Sequence, residues 1–163
     1  MSEQILFLIS AIVFIVYLVF IIAMFGIPAS VSDSFYSLNA KKKDLGYLFT
    51  LWCYLTGIPA IALMLSQSDG RWFQMFGFFA GGALCFVGTA PLFKDRERRI
   101  HSVSAFACAI AALLWIVFSG YWRIPAALLL PAVFALVKWK KQRVFWAEIW
   151  IFVSTYLTLA YLL

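Results

Sequence analysis

One glutamate, Glu148, stands inside an otherwise apolar run, RVFWAEIWIF, in a chain that has a single histidine, His101, and three cysteines, Cys53, Cys85 and Cys108. A carboxylate within a hydrophobic span costs a few kcal/mol to bury, so it is by default a functional candidate, as an ion- or proton-coupled group or as an anchor for a polar ligand. The plainer reading is an interfacial carboxylate that snorkels outward or pairs with Arg143 or Arg99. His101 titrates near neutral pH and could work with Asp33 or Glu148 as a proton-transfer pair, or simply open a helix among headgroups. The three cysteines sit at similar depth, roughly seven residues from the ends of their runs, and could ligate a soft metal only if they faced one another. No CxxC or HxxxH spacing supports that, and buried cysteine commonly acts as a small hydrophobe. No metal and no cofactor are expected.

A further polar group lies in IPASVSDSFYSL, residues 27–38, where four serines, an aspartate and a tyrosine follow a long apolar run. The candidate ligand-binding set is Ser30, Asp33, Tyr36, His101 and Glu148. Against binding, Ser30-x-x-Asp33 has the spacing of a helix N-terminal box, with Ser30 capping and Asp33 reaching back. Phe35, Tyr36 and Leu38 would then form a short amphipathic turn at an interface.

These residues need elements to position them, and the composition says what kind. Of 163 residues, 65% are hydrophobic and only 12% charged, with mean hydropathy +0.96; soluble domains carry about 25% charged residues because their surfaces face water. Runs of roughly 20 apolar residues give six spans, at about 5–29, 46–66, 72–93, 101–119, 121–138 and 144–163. Continuous runs rather than ten-residue alternation exclude a barrel. The fold class expected is therefore all-α, one polytopic transmembrane bundle over 1–163. The first run has no basic n-region and is long enough to span, so it reads as a retained helix and not a signal peptide.

Charge sets the orientation. The first, third and fifth loops hold eleven basic residues, among them Lys41–Lys43, Lys94 and Arg96, and Lys138 to Arg143, while the other loops hold only Arg71 and Arg123. Positive residues stay inside, so the odd loops are cytoplasmic and both termini lie outside, in a multi-pass protein expected in a bacterial inner (plasma) membrane. The net charge of +6 therefore marks topology and anionic headgroups, and no nucleic-acid partner is implied. In GFFAGGALCFVG, Gly77, Gly81 and Gly82 make a small-xxx-small pattern suited to close helix packing. The expected partners are membrane lipids, with Gly77, Gly81 and Gly82 as a surface for a second copy or another protein.

Several chemistries drop out. There is no GxSxG, Walker loop, HExxH or GxGxxG, no lysine inside a span for a Schiff base, and one histidine cannot supply bis-His haem ligation. The segment VGTAPLFKDRERRIHSVSAFA, with glycine and proline ending one span, a charged loop, and a histidine opening the next, resembles the outline of small six-span membrane proteins in the uncharacterised bacterial-type families related to the DRAM/Frag membrane proteins. Their first span is likewise followed by a serine- and aspartate-containing loop. That resemblance implies a helical bundle with Asp33 and His101 as matched polar positions, and no catalytic activity.

Three functions fit. The first is a non-enzymatic membrane protein that binds a lipid, an amphipathic ligand or a membrane partner within the bundle. The second is a small transporter or channel, alone or as an oligomer, using Glu148. The third is an enzyme acting on lipid headgroups through His101 with Asp33 or Glu148. The orientation of Glu148 and the location of Asp33 discriminate among them.

Overall fold

The computed structural model describes residues 2–91 and 97–163; Lys94 and Arg96 of the third loop lie outside these. Helix accounts for 84% of the chain and no strand occurs among the described residues, so the backbone polar groups are satisfied within each segment. The helices are α1 (Glu3–Phe25), α2 (Asp33–Lys41), α3 (Tyr47–Gln67), α4 (Gln74–Thr89), α5 (Glu97–Phe118), α6 (Arg123–Lys138) and α7 (Arg143–Leu162), with a 3-10 turn at Lys140–Gln142 before the last.

Local chemistry sets the ends of α1. Ser2 accepts the Ile5 amide hydrogen (3.4 Å) and Glu3 adds negative charge to the first turn, where it favours the helix dipole. The helix stops at Phe25, four residues before the expected end. Gly26 takes φ +74°, a conformation open mainly to glycine, and Pro28 disfavours helical geometry at Ile27. The expected third span of 72–93 is likewise shorter, as α4 ends at Thr89.

Long antiparallel helices alternate in direction. Glu3 at the start of α1 bonds Ser66 and Gln67 at the end of α3. Thr50 donates to Gly88 O (2.7 Å), so the start of α3 lies beside the end of α4. Phe76 stacks on Phe118, joining the start of α4 to the end of α5, and Tyr121 meets Tyr161 just before α6 and at the end of α7. Both termini therefore share one end of the bundle, and the connections that carry Lys41–Lys43 and Lys138–Arg143 share the other, called here the basic end.

Small residues allow the tightest of these contacts. A Cβ on Gly81 would fall 2.1 Å from Ile61 Cγ1 and 3.0 Å from Gly57 O, and one on Gly77 would fall 2.6 Å from Met64 Cβ. Glycine is what lets α3 and α4 meet backbone to backbone. A Cβ on Gly82 would meet nothing within 4 Å. Of the three glycines, Gly77 and Gly81 are thus buried inside the chain, against α3 and α5.

α1, α3, α4, α5 and α7 form the bundle, and α6 packs chiefly against α7 from outside. Two apolar cores fill the bundle. The basic-end core centres on Phe14, Tyr17, Phe49, Trp52 and Phe145, and the other on Met64, Trp115, Ile116 and Leu159. α2 belongs to the first core. Phe35 and Leu38 are buried in it while Tyr36 is exposed, so the expected interfacial turn is instead a nine-residue helix folded under the bundle. Tyr17 holds it there by donating to Ser34 Oγ (2.6 Å), whose own hydroxyl donates to Val31 O (2.5 Å).

Four helical stretches are long and apolar enough to cross a membrane: Glu3–Phe25, Tyr47–Gln67, Arg99–Phe118 and Lys140–Leu162. The 16 residues of α4 and of α6 extend about 24 Å, short of the ~30 Å of a hydrocarbon core.

Candidate functional site

α7 presents two different faces. Trp146, Ile149, Trp150 and Val153 turn toward α6, and Glu148, Ile151, Phe152, Thr155, Tyr156 and Leu159 line an internal cavity. Both sets follow the i, i+3, i+4, i+7 spacing of a helix stripe. The cavity, of about 90 Å³, lies between α3, α4, α5 and α7. Its lining runs from Glu148 at the basic end to Leu159, about 16 Å along α7. It is narrow and elongated, with walls of Phe49, Trp52, Leu84, Ala105 and Ala112 among others. A volume of ~10–15 Å³ admits one water on this scale, so several waters or a slim apolar chain would fit.

Glu148 is the single carboxylate of this lining. It stands five residues into α7, about 7 Å from the helix start. Its Oε2 accepts the Val31 amide hydrogen at 2.7 Å, and the Phe145 amide donates to Ala29 O at 3.0 Å. The connection after α1 is thereby laid across the basic end of the cavity, and Val31 and Ser32 become part of its wall. This bond gives the carboxyl group a polar partner within an otherwise apolar surface, where an unpaired acceptor would be costly. Pairing with Arg143 does not occur. That side chain turns back to α6, where Nε donates to Leu136 O (3.1 Å).

Asp33 is used locally. Its Oδ2 accepts from Ser30 N (3.1 Å) and its amide donates to Ser30 Oγ (3.2 Å), while Ser30 Oγ lies 2.9 Å from Ser32 Oγ. This is the reciprocal box that the Ser-x-x-Asp spacing encodes; it lies in the turn leading into α2, whose own N-cap, Ser32, makes no side-chain cap bond. Of the candidate residues, the fold brings Ser30, Asp33 and Glu148 to one connection, since Val31 lies between the box and the carboxylate. Tyr36 is on the exposed side of α2, and His101 is half-buried in the first turns of α5.

The cysteines serve packing. Cys53 is fully buried in the basic-end core, and Cys108 packs against that core and lines the cavity. Cys85 Sγ would lie 3.3 Å from a Cβ at Gly57. Among the described residues, no group of three His, Cys, Asp or Glu side chains could hold a metal ion.

Reasoning from sequence missed a second polar point, midway along the bundle. Ser10 of α1 donates to Thr56 O (3.2 Å) and lies 2.7 Å from Tyr156 Oη, and Thr56 and Tyr156 both line the cavity. A tyrosine in the middle of a span, away from the interface where aromatic belts sit, was the available signal. Ser154, Thr155 and Thr158 of α7 are satisfied within their own helix, on Trp150 O, Ile151 O and Ser154 O. The cavity therefore presents a carboxyl group at one end and, midway, a tyrosine hydroxyl that donates to Ser10 O (3.2 Å), within mostly apolar walls.

No protein-family model, curated protein or solved structure matches the chain.

Proposed function

We propose that the chain is a six-span membrane bundle, both termini outside, that binds an amphipathic ligand in the cavity between α3, α4, α5 and α7, with Glu148 anchoring its head. The observation that carries this reading is the lone carboxylate at the end of a narrow apolar cavity. Binding pockets join apolar walls to a few polar groups that fix orientation. A guest with an amine or hydroxyl head and a single chain matches both features. The six-span count treats α4 and α6 as spans completed by their flanking residues, and the basic end as cytoplasmic. The outline shared with the DRAM/Frag-related proteins supports the same plan.

The test is mass spectrometry of lipids that co-purify with the chain in mild detergent. Ala109→Trp, which fills the cavity wall on α5, should remove the bound amphiphile. Glu148→Gln, which replaces the carboxyl group with an amide, should reduce occupancy by about tenfold. Equal retention by Ala109→Trp and the parent chain would sink the proposal.

A second reading, proton- or ion-coupled transport, is favoured by the same carboxylate, because Glu148 faces an internal cavity. Flux in proteoliposomes should then fall to background in Glu148→Gln; unchanged flux counts against transport. An enzyme acting through His101 with Asp33 or Glu148 has less support, since Asp33 is engaged in the box with Ser30 and Glu148 accepts from Val31.

A further inference from the structure

The outer face of α7 carries a second cavity. Between α6 and α7 lies a groove of about 250 Å³ whose walls include Pro131, Ala132, Trp139, Trp146 and Trp150. α6 is held to α7 around it by the Trp150 indole donating to Pro125 O (3.1 Å) and by Trp139 stacked on Trp146 at 5.1 Å. From Leu128 to Trp139 the groove runs about 16 Å along α6. It is apolar throughout its length and ends among cations. Lys138 Nζ lies 4.9 Å from the centre of the Trp139 ring and 5.5 Å from that of Phe134. Lys140 and Lys141 follow in the 3-10 turn. No aspartate or glutamate occurs between Arg98 and Glu148, and Glu148 is on the other face of α7, in the central cavity. The groove mouth is thus positive, the one acid of α6 and α7 lying on the opposite face of α7. Trp146 adds a buried indole N–H that has no partner, a donor suited to an ester carbonyl.

We propose that this groove binds an anionic phospholipid, one acyl chain between α6 and α7 and the phosphate at Lys138, Lys140 and Lys141. Charge complementarity selects the headgroup, since juxtamembrane lysines attract anionic lipid, and the groove length selects a chain over a compact ring system. The site rests on the membrane reading and not on the central cavity, which lies on the opposite side of α7.

The test is binding of phosphatidylglycerol and phosphatidylcholine with identical chains to the detergent-exchanged full chain, followed by native mass spectrometry. Phosphatidylglycerol should bind about tenfold tighter. Lys138→Gln, Lys140→Gln and Lys141→Gln combined, all at exposed positions, should abolish that preference. Ala132→Phe, which fills the groove and leaves the charges, should weaken both lipids. Ala109→Trp in the central cavity should leave the preference intact, whether or not the central cavity binds its own guest. Equal binding of the two lipids would overturn the proposal. So would undiminished binding of both lipids in Ala132→Phe, which would place the effect on surface charge alone, or loss of the preference in Ala109→Trp, which would place the lipid in the central cavity.

Discussion

Gly81 and Gly82 are chemically identical neighbours with opposite tolerances. A methyl group at Gly81 meets Ile61 and the Gly57 carbonyl, and one at Gly82 meets open space. Gly81→Ala should therefore cost about 1–3 kcal/mol, the usual penalty of overpacking a close contact. Gly82→Ala should be neutral or stabilising by up to about 1 kcal/mol through helix propensity. Thermal unfolding of the two variants in the same detergent checks both, and equal loss would refute the packing assignment. At this scale the sequence was partly legible. The Ser30–Asp33 box could be read from spacing alone, because a capping box is a contact between residues three apart. The tie from Glu148 to Val31 could not, because its partners are 117 residues apart and the donor is a backbone amide that every residue carries.

Among the elements, hydropathy located α1 and α3 to α7 within a few residues, four of them lying in stretches long enough to cross a membrane, since a continuous apolar run has few other uses. It misjudged the ends where backbone chemistry intervenes, as at Gly26. It also underestimated α2. A segment with four serines and an aspartate reads as surface, yet Phe35 and Leu38 form a two-residue apolar face at i, i+3 that the bundle buries. α7 is the element whose pattern was hardest to read, because both of its stripes are apolar. Its division into a tryptophan-rich outer face and an inner face bearing Glu148, Thr155 and Tyr156 appears only once α6 is seen on one side and α3, α4 and α5 on the other.

For the whole molecule, the proposed topology makes a simple demand. With Cys53, Cys85 and Cys108 replaced by alanine, a cysteine at Asp69 should react with a membrane-impermeant maleimide on intact cells, and one at Lys43 only after permeabilisation. Both positions are exposed loop residues, so burial does not confuse the result; the reverse pattern would invert the topology. The connection from α1 to α2 has a consequence for selectivity. Because Glu148 Oε2 already accepts from Val31, a guest's donor must take Oε1 or the second lone pair of Oε2, or else displace the Val31 amide. A head that displaces the amide without replacing its acceptor leaves a buried N–H unsatisfied, at about 1–3 kcal/mol. A guest with no donor gains nothing from the carboxylate. The same strand of backbone that closes the cavity thereby sets a toll on its occupants, levied on head chemistry and indifferent to tail length.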